Sequence, residues 1–156
     1  MASRWWTFTV ERFEPISHSL MIVLFFSAHL VVFLTCLRPG RSIQWPPTLL
    51  IFLGTTIFFY ELRLYGELKD YETDIRLNPT RPRARGLLQR EDLHGAIALC
   101  VPLELLLFAV EGGGALVGAG IAISYSWLMY KEFFMGEIIR PHLTTYAVSH
   151  TVVSSF

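Results

Sequence analysis

Four stretches of this chain carry almost no charge, and each is about as long as a membrane is thick. Leu20–Leu37, Ser42–Tyr60 and Gly112–Tyr130 contain no Asp, Glu, Lys or Arg, and Leu93–Val110 contains a single acid, Glu104. A helix needs about 20 apolar residues to cross a hydrocarbon core of ~30 Å. Lipid offers no partner to an exposed backbone, so helices are the natural spanning form. The pattern predicts an all-α, polytopic membrane bundle in one domain, 1–156, with spans at about 20–37, 46–65, 93–110 and 112–130. A fifth charge-free run, Pro141–Phe156, is more polar and predicts a partial span over 143–156.

Composition narrows the class further. The chain is 53% hydrophobic and 17% charged, against about 25% charged for a soluble domain. That excludes a disordered chain and makes an ordinary soluble enzyme a poor fit. Thirteen Lys and Arg balance thirteen Asp and Glu, so there is no basic surface for a nucleic acid, and none is expected as a partner. Cys36 and Cys100 sit inside apolar runs and read as small buried hydrophobes rather than a disulfide.

The basic residues set an expected orientation. Ten of them fall in the N-terminus, the 61–92 connection and the segment after the fourth span, against Arg38 and Arg41 on the other side and Arg63 near the end of the second span. The N-terminus and the 66–92 connection are therefore expected to be cytoplasmic, and the chain an integral membrane protein. Segment 1–18 mixes Trp5, Trp6, Phe8 and Phe13 with Arg4 and Arg12, which suits a short helix lying in the interface.

The 66–92 connection carries the chemistry. Glu67, Asp70 and Asp74 stand at i, i+3 and i+7, one face of a helix if the helix continues. Asp70 and Asp74 are adjacent like charges there, a penalty that a cation removes. Magnesium takes one or two carboxylates and fills its remaining positions with water and phosphate oxygens. Beyond them, Pro79-Thr80-Arg81-Pro82-Arg83-Ala84-Arg85-Gly86 is a stiff turn with three arginines, and guanidinium groups pair with phosphate oxygens in a bidentate way. Acidic helix, basic turn and membrane edge together point to a lipid with a diphosphate head.

These residues resemble the UbiA superfamily of intramembrane prenyltransferases. The family's first signature is an Asn-Asp-x-x-Asp-x-x-x-Asp helix followed by a Pro-x-Arg-Pro turn and a Gly. Here Gly66-Glu67-x-x-Asp70-x-x-x-Asp74 stands in the helix, and Pro79-x-Arg81-Pro82 with Gly86 in the turn. Glu11–Pro15 and Tyr125–Lys131 are similar to the family at corresponding places. The resemblance covers nearly the whole chain and about the N-terminal half of the family's fold.

It implies a prenyl diphosphate as ligand and Mg²⁺ as cofactor. Asp70 and Asp74 would hold the metal, with Glu67 assisting. Arg81, Arg85 and Lys131 would clamp the diphosphate. Two departures stand out: Gly66 and Glu67 replace Asn and Asp, and no aspartate follows Asp92, so the family's second Asp-rich helix has no counterpart here. A lone chain is therefore not expected to catalyse. A second copy or other membrane subunits would complete it, or it would serve as a structural or lipid-binding subunit.

Three further features stand outside that motif. Glu104 lies mid-span near Pro102, and an intramembrane acid is a candidate functional group; the alternative is a carboxyl bonded to a neighbouring helix. His29, inside the first span, reads as a donor to a neighbouring helix. Ala115, Gly118, Ala119, Gly120 and Ala122 give the fourth span a small-residue face suited to close helix packing.

Overall fold

The computed structural model describes residues 2–40 and 42–152. Arg41, counted above among the cations opposite the N-terminus, and residues 153–156 of the expected fifth span lie outside the described residues. Among the described residues every regular element is helical. In order they are α1 (Ala2–Phe8), α2 (Pro15–Val32, continued as a wider turn over Phe33–Leu37), α3 (Trp45–Lys69), α4 (Tyr71–Leu77), α5 (Arg90–Ala109), α6 (Gly113–Tyr130), α7 (Gly136–Ile139) and α8 (Leu143–Thr151).

Three helices are long and apolar enough to cross a membrane: Pro15–Leu37, Trp45–Lys69 and Arg90–Ala109. They are compatible with an integral membrane protein. α2 and α5 start a few residues before their charge-free runs and α3 just inside its own, and the starts have local causes. Prolines occupy the first turns of α2 and α3, where their missing N–H costs nothing. At α5 the Gln89 N–H donates to Asp92 (2.9 Å) and the Gln89 side chain answers, closing a capping box. The fourth expected span, α6, is 18 residues long. Four glycines, two serines and two tyrosines dilute it, and it does not reach the apolarity of the other three. The described part of the expected fifth span, α8, has nine residues, too few to cross.

α3 and α5 run antiparallel and form the centre of the bundle. Gly54 faces Phe108, Glu61 neighbours Glu104, and Leu64, Tyr65 and Leu68 share a core with Leu93 and Ile97. After Gly112, whose φ of +108° suits glycine, α6 folds back along them. α2 is the outlier: only 6% of its apolar window is buried inside the protein, so the described residues leave most of it uncovered.

The core lies where α3 ends and α5 begins, and the N-terminal segment is built into it. Phe8 is fully buried, edge-on to Trp5 (5.9 Å) and Tyr60 (6.1 Å). Phe13 packs on Tyr60 and stacks on His18 (4.6 Å). Arg4 makes a two-pronged pair with Asp92 at 2.8 and 3.1 Å. Within residues 1–18, expected to rest in the interface, Phe8 and Phe13 are buried in protein while Trp6 and Ile16 stay exposed, and Arg4, Glu11 and Arg12 each find an opposite charge on the neighbouring elements. The cysteines also differ from expectation: Cys36 is exposed and Cys100 half-buried.

The α3–α5 contact is tightest at Gly54, where an added Cβ would stand 2.8 Å from the Phe108 ring. At Gly66, about three turns nearer the polar end, an added Cβ meets nothing within 4 Å. Gly54→Ala should therefore cost about 1–3 kcal/mol by overpacking. Gly66→Ala should gain about 0.5–1 kcal/mol by restricting the unfolded chain. Thermal unfolding in detergent should move in opposite directions for the two; movement in the same direction would refute this packing.

Candidate functional site

The helix expected to carry Glu67, Asp70 and Asp74 on one face is broken at Asp70. α3 stops at Lys69, Asp70 adopts φ −86° and ψ 2°, and α4 starts at Tyr71 in a new direction. The three carboxylates part company. Glu67 is 1% exposed and ion-paired with Arg12. Asp74 is 3% exposed; Arg81 donates to both its oxygens at 2.7 Å, and Asn78 donates at 3.2 Å. The hydrogen bond to Asp74 holds the Arg81 guanidinium above its ordinary value. Asp70 has no ion pair or side-chain hydrogen bond among the described residues and opens into a cavity.

The expected phosphate clamp is dispersed as well. Arg85 donates to Glu11 (2.8 Å) and to the Thr80 carbonyl (2.8 Å). Lys131 lies over the Tyr130 ring at 4.7 Å. The middle arginine, Arg83, donates to the carbonyls of Glu67 (2.9 Å) and Leu68 (3.0 Å). It thus caps the end of α3, where carbonyls lose their helical partners. The reason is common to all: buried acids and orphan carbonyls need donors, and the arginine-rich turn supplies them from within the chain. Gly86 closes that turn with φ +78°, the special backbone position its sequence suggested. Among the described residues, no three His, Cys, Asp or Glu side chains gather closely enough to hold a metal ion. Glu67, Asp70 and Asp74 as arranged do not fit one shared magnesium ion.

A different set of charges gathers beside Asp70. A cavity of about 400 Å³ is lined by Lys69, Asp70, Arg76, Glu132, Arg140 and Tyr146, among others. Glu132 is its pivot. Arg140 Nε donates to both Glu132 oxygens (3.0 and 2.8 Å), and Lys69 Nζ stands 3.4 Å away. Lys69 also donates to the Tyr146 hydroxyl (2.7 Å) and the His150 ring (2.9 Å). The backbone here is strained: Glu132, Phe133 and Phe134 have φ of 50°, 54° and 57°. Left-handed conformation costs about 1–2 kcal/mol per ordinary residue, so the surroundings must over-determine it. Gly136 is part of the arrangement, because an added Cβ would run into the Glu132 carboxylate.

Two further cavities lie beside this polar mouth. A smaller cavity of about 170 Å³ shares Lys69, Asp70 and Tyr146 with it and extends to Leu62. Leu62 also lines an apolar groove of about 550 Å³ between α2, α3, α5 and α6. Ala115, Gly118, Ala119 and Ala122 of the small-residue face of α6 border this groove, Ala119 is buried, and an added Cβ at Gly118 or Gly120 meets nothing within 4 Å. His29 also lines it, but bonds within its own helix to the Phe25 carbonyl (2.8 Å) rather than across helices.

Sequence reasoning missed Lys69, Glu132, Arg140 and Tyr146 as a group. Lys69 lay inside the acidic motif, and Arg140 had been counted on the same side of the membrane. Their meeting depends on the left-handed turn at 132–134, which no local pattern announces. Compared with known proteins, the chain matches no family model, no curated protein and no solved structure.

Burial raises the Glu132 carboxyl, but the hydrogen bond from Arg140 and the charge of Lys69 outweigh it and hold it below its ordinary value of 4.5. A carboxyl held low when folded stabilises the fold above its unfolded value. That stability is lost as pH falls through the lower, folded value. Hydrogen-exchange protection of amides 134–140 should therefore be full at neutral pH and fall below pH 4.5. Glu132→Gln should lower it already at neutral pH and flatten the acid dependence; protection indifferent to both changes would discount the pivot.

Proposed function

We propose that this protein is a membrane-embedded binder of a prenyl diphosphate, related in chemistry to the UbiA prenyltransferases. In this reading it crosses the membrane four times, with its N-terminus and 66–92 connection cytoplasmic. One observation carries the reading: a charged mouth at the end of α3 and an apolar groove between the helices, with a smaller cavity that shares lining residues with each. A diphosphate head suits the mouth, where Lys69, Arg76 and Arg140 supply donors. A flexible apolar tail suits the groove, because burying it gains about 25 cal/mol per Å².

The metal enters this proposal in a reduced form. A magnesium ion arriving with the diphosphate would meet one protein carboxylate at the mouth from the expected set, Asp70. That is within what magnesium asks of a protein when phosphate oxygens and waters complete its shell. Glu67 and Asp74 stay with Arg12 and Arg81 as structural pairs. Arg81, Arg85 and Lys131 then act by shaping the turn and the end of α6 rather than by touching phosphate.

The proposal stops at binding. Within the 156 residues no aspartate follows Asp92, so nothing in them corresponds to the second acidic helix of the resembling family. The groove is also open along its length, and a developing carbocation needs an enclosed, dry site. A role as a lipid-binding subunit of a larger membrane complex agrees with both points.

A fluorescent prenyl diphosphate titrated into detergent-purified protein, with and without magnesium, tests this. Lys69→Gln and Arg140→Gln should each weaken binding at least tenfold, which is ~1.4 kcal/mol. Asp70→Asn should remove the magnesium-dependent part. Arg85→Gln should bind as the parent does, because that guanidinium serves Glu11. Equal binding by the Lys69, Arg140 and Asp70 variants would overturn the proposal.

A further inference from the structure

The diphosphate reading leaves the most deeply buried charges of the molecule unused. Glu61 on α3 and Glu104 on α5 are 0% and 1% exposed and neighbour each other across the helix pair. None of their four carboxylate oxygens receives a well-aligned hydrogen bond, and the donor beside them is the Tyr65 hydroxyl at Glu61. The titratable groups around them are Tyr65 on α3, Cys100 on α5 and, stacked on Tyr65 at 5.1 Å, Tyr130 on α6. α2 presents His29 to the same groove. None is a fixed cation. Arg63, nearest along the chain, is turned to the His18 ring at 2.8 Å.

Two carboxylates side by side at membrane depth cannot both stay ionised unless a cation joins them. A single proton shared between them is one solution, since a hydrogen bond between two carboxyls exists when one is protonated. A bound cation is the other, and the structure has room for it. Glu104 borders the 550 Å³ groove, where it is the sole charged residue among the described lining residues, and its carboxylate oxygens are covered, so a cation would reach them by a side-chain turn into the groove. Phe25, Phe26, Phe33, Phe58, Phe59 and Phe108 line the same groove.

Aromatic faces attract poorly hydrated organic cations. A metal ion would ask for several oxygen ligands. Besides Glu104 the groove offers one hydroxyl, Thr55, which already donates to the Ile51 carbonyl (2.9 Å). An isoprenoid tail in the groove would satisfy the rings and leave the acid without a partner.

We propose that the groove is a binding site for a lipophilic organic cation, an alkylated or arylated ammonium or phosphonium. The cation docks on Glu104 and displaces the proton that Glu104 and Glu61 otherwise share. The charge balance is one for one: one cation enters and one proton leaves to bulk water. The cation site uses none of the residues at the polar mouth, but it takes the groove assigned above to the diphosphate's tail, so the two ligands compete there; loss of diphosphate binding by Lys69→Gln with cation binding intact separates the two proposals.

Radiolabelled tetraphenylphosphonium is the probe, added to the parent protein in mild detergent with weak buffer and a pH indicator dye. Saturable binding with release of about one proton per cation is expected, with affinity rising as pH rises. Glu104→Gln should weaken binding at least tenfold and abolish the proton signal, and Glu104→Asp should restore part of both. The parent measurement stands even if a variant folds poorly. Absence of saturable binding, binding without proton release, or unchanged binding by a folded Glu104→Gln protein would each overturn the site.

Discussion

Glu67 is buried where α3 leaves the bundle, and the polar end of the molecule is organised around that fact. An uncompensated buried carboxylate costs several kcal/mol. Arg12 meets it, and in doing so ties the N-terminal segment to the end of α3. With the segment held, Phe8 and Phe13 reach Tyr60, Arg4 reaches Asp92 at the start of α5, and Glu11 reaches Arg85 on the turn. Arg83 closes the remaining gap by taking the last carbonyls of α3. A segment that could have floated on the membrane thus becomes a plug, and the arginine-rich turn becomes scaffold.

That assignment leaves two unlike sites at different heights. At the polar end, Asp70 escapes the internal pairing because the backbone turns there, and it joins Lys69, Arg76 and Arg140 at an open mouth. Deeper in, Glu104 borders a groove lined by aromatic rings and receives no well-aligned hydrogen bond. Water serves the first site and does not serve the second. Charge at the mouth is set by neighbours and solvent, whereas charge in the groove has to be balanced by whatever enters it. The intermediate cavity around Tyr65, Tyr130 and Leu62 shares lining residues with both.

Much of the fold was legible because its signals are long. Charge-free runs of membrane length announce helices, and prolines and the Gln89–Asp92 box mark where they begin. α6 was legible as a helix, while its glycines place it below the other three in apolarity. The acidic motif was legible as a cluster of chemistry, but not as a ligand set. One residue of non-helical backbone at Asp70 turns α4 away and separates three carboxylates that a continuous helix would have aligned. Glu104 announced itself as an intramembrane acid; its counterpart Glu61 did not, because it stands just inside the charged end of its span.

The sequence by itself determined that this is an all-helical chain with apolar spans, a balanced charge and a dense polar connection between the second and third runs. Those properties follow from composition and periodicity, which act along the chain. Tertiary structure decided which acid meets which base. Arg12 with Glu67, Arg140 and Lys69 with Glu132, and Glu61 against Glu104 are separated by up to 63 residues. No local rule relates them. Low-dielectric burial makes each pairing compulsory once the helices pack, and the packing alone selects the partners.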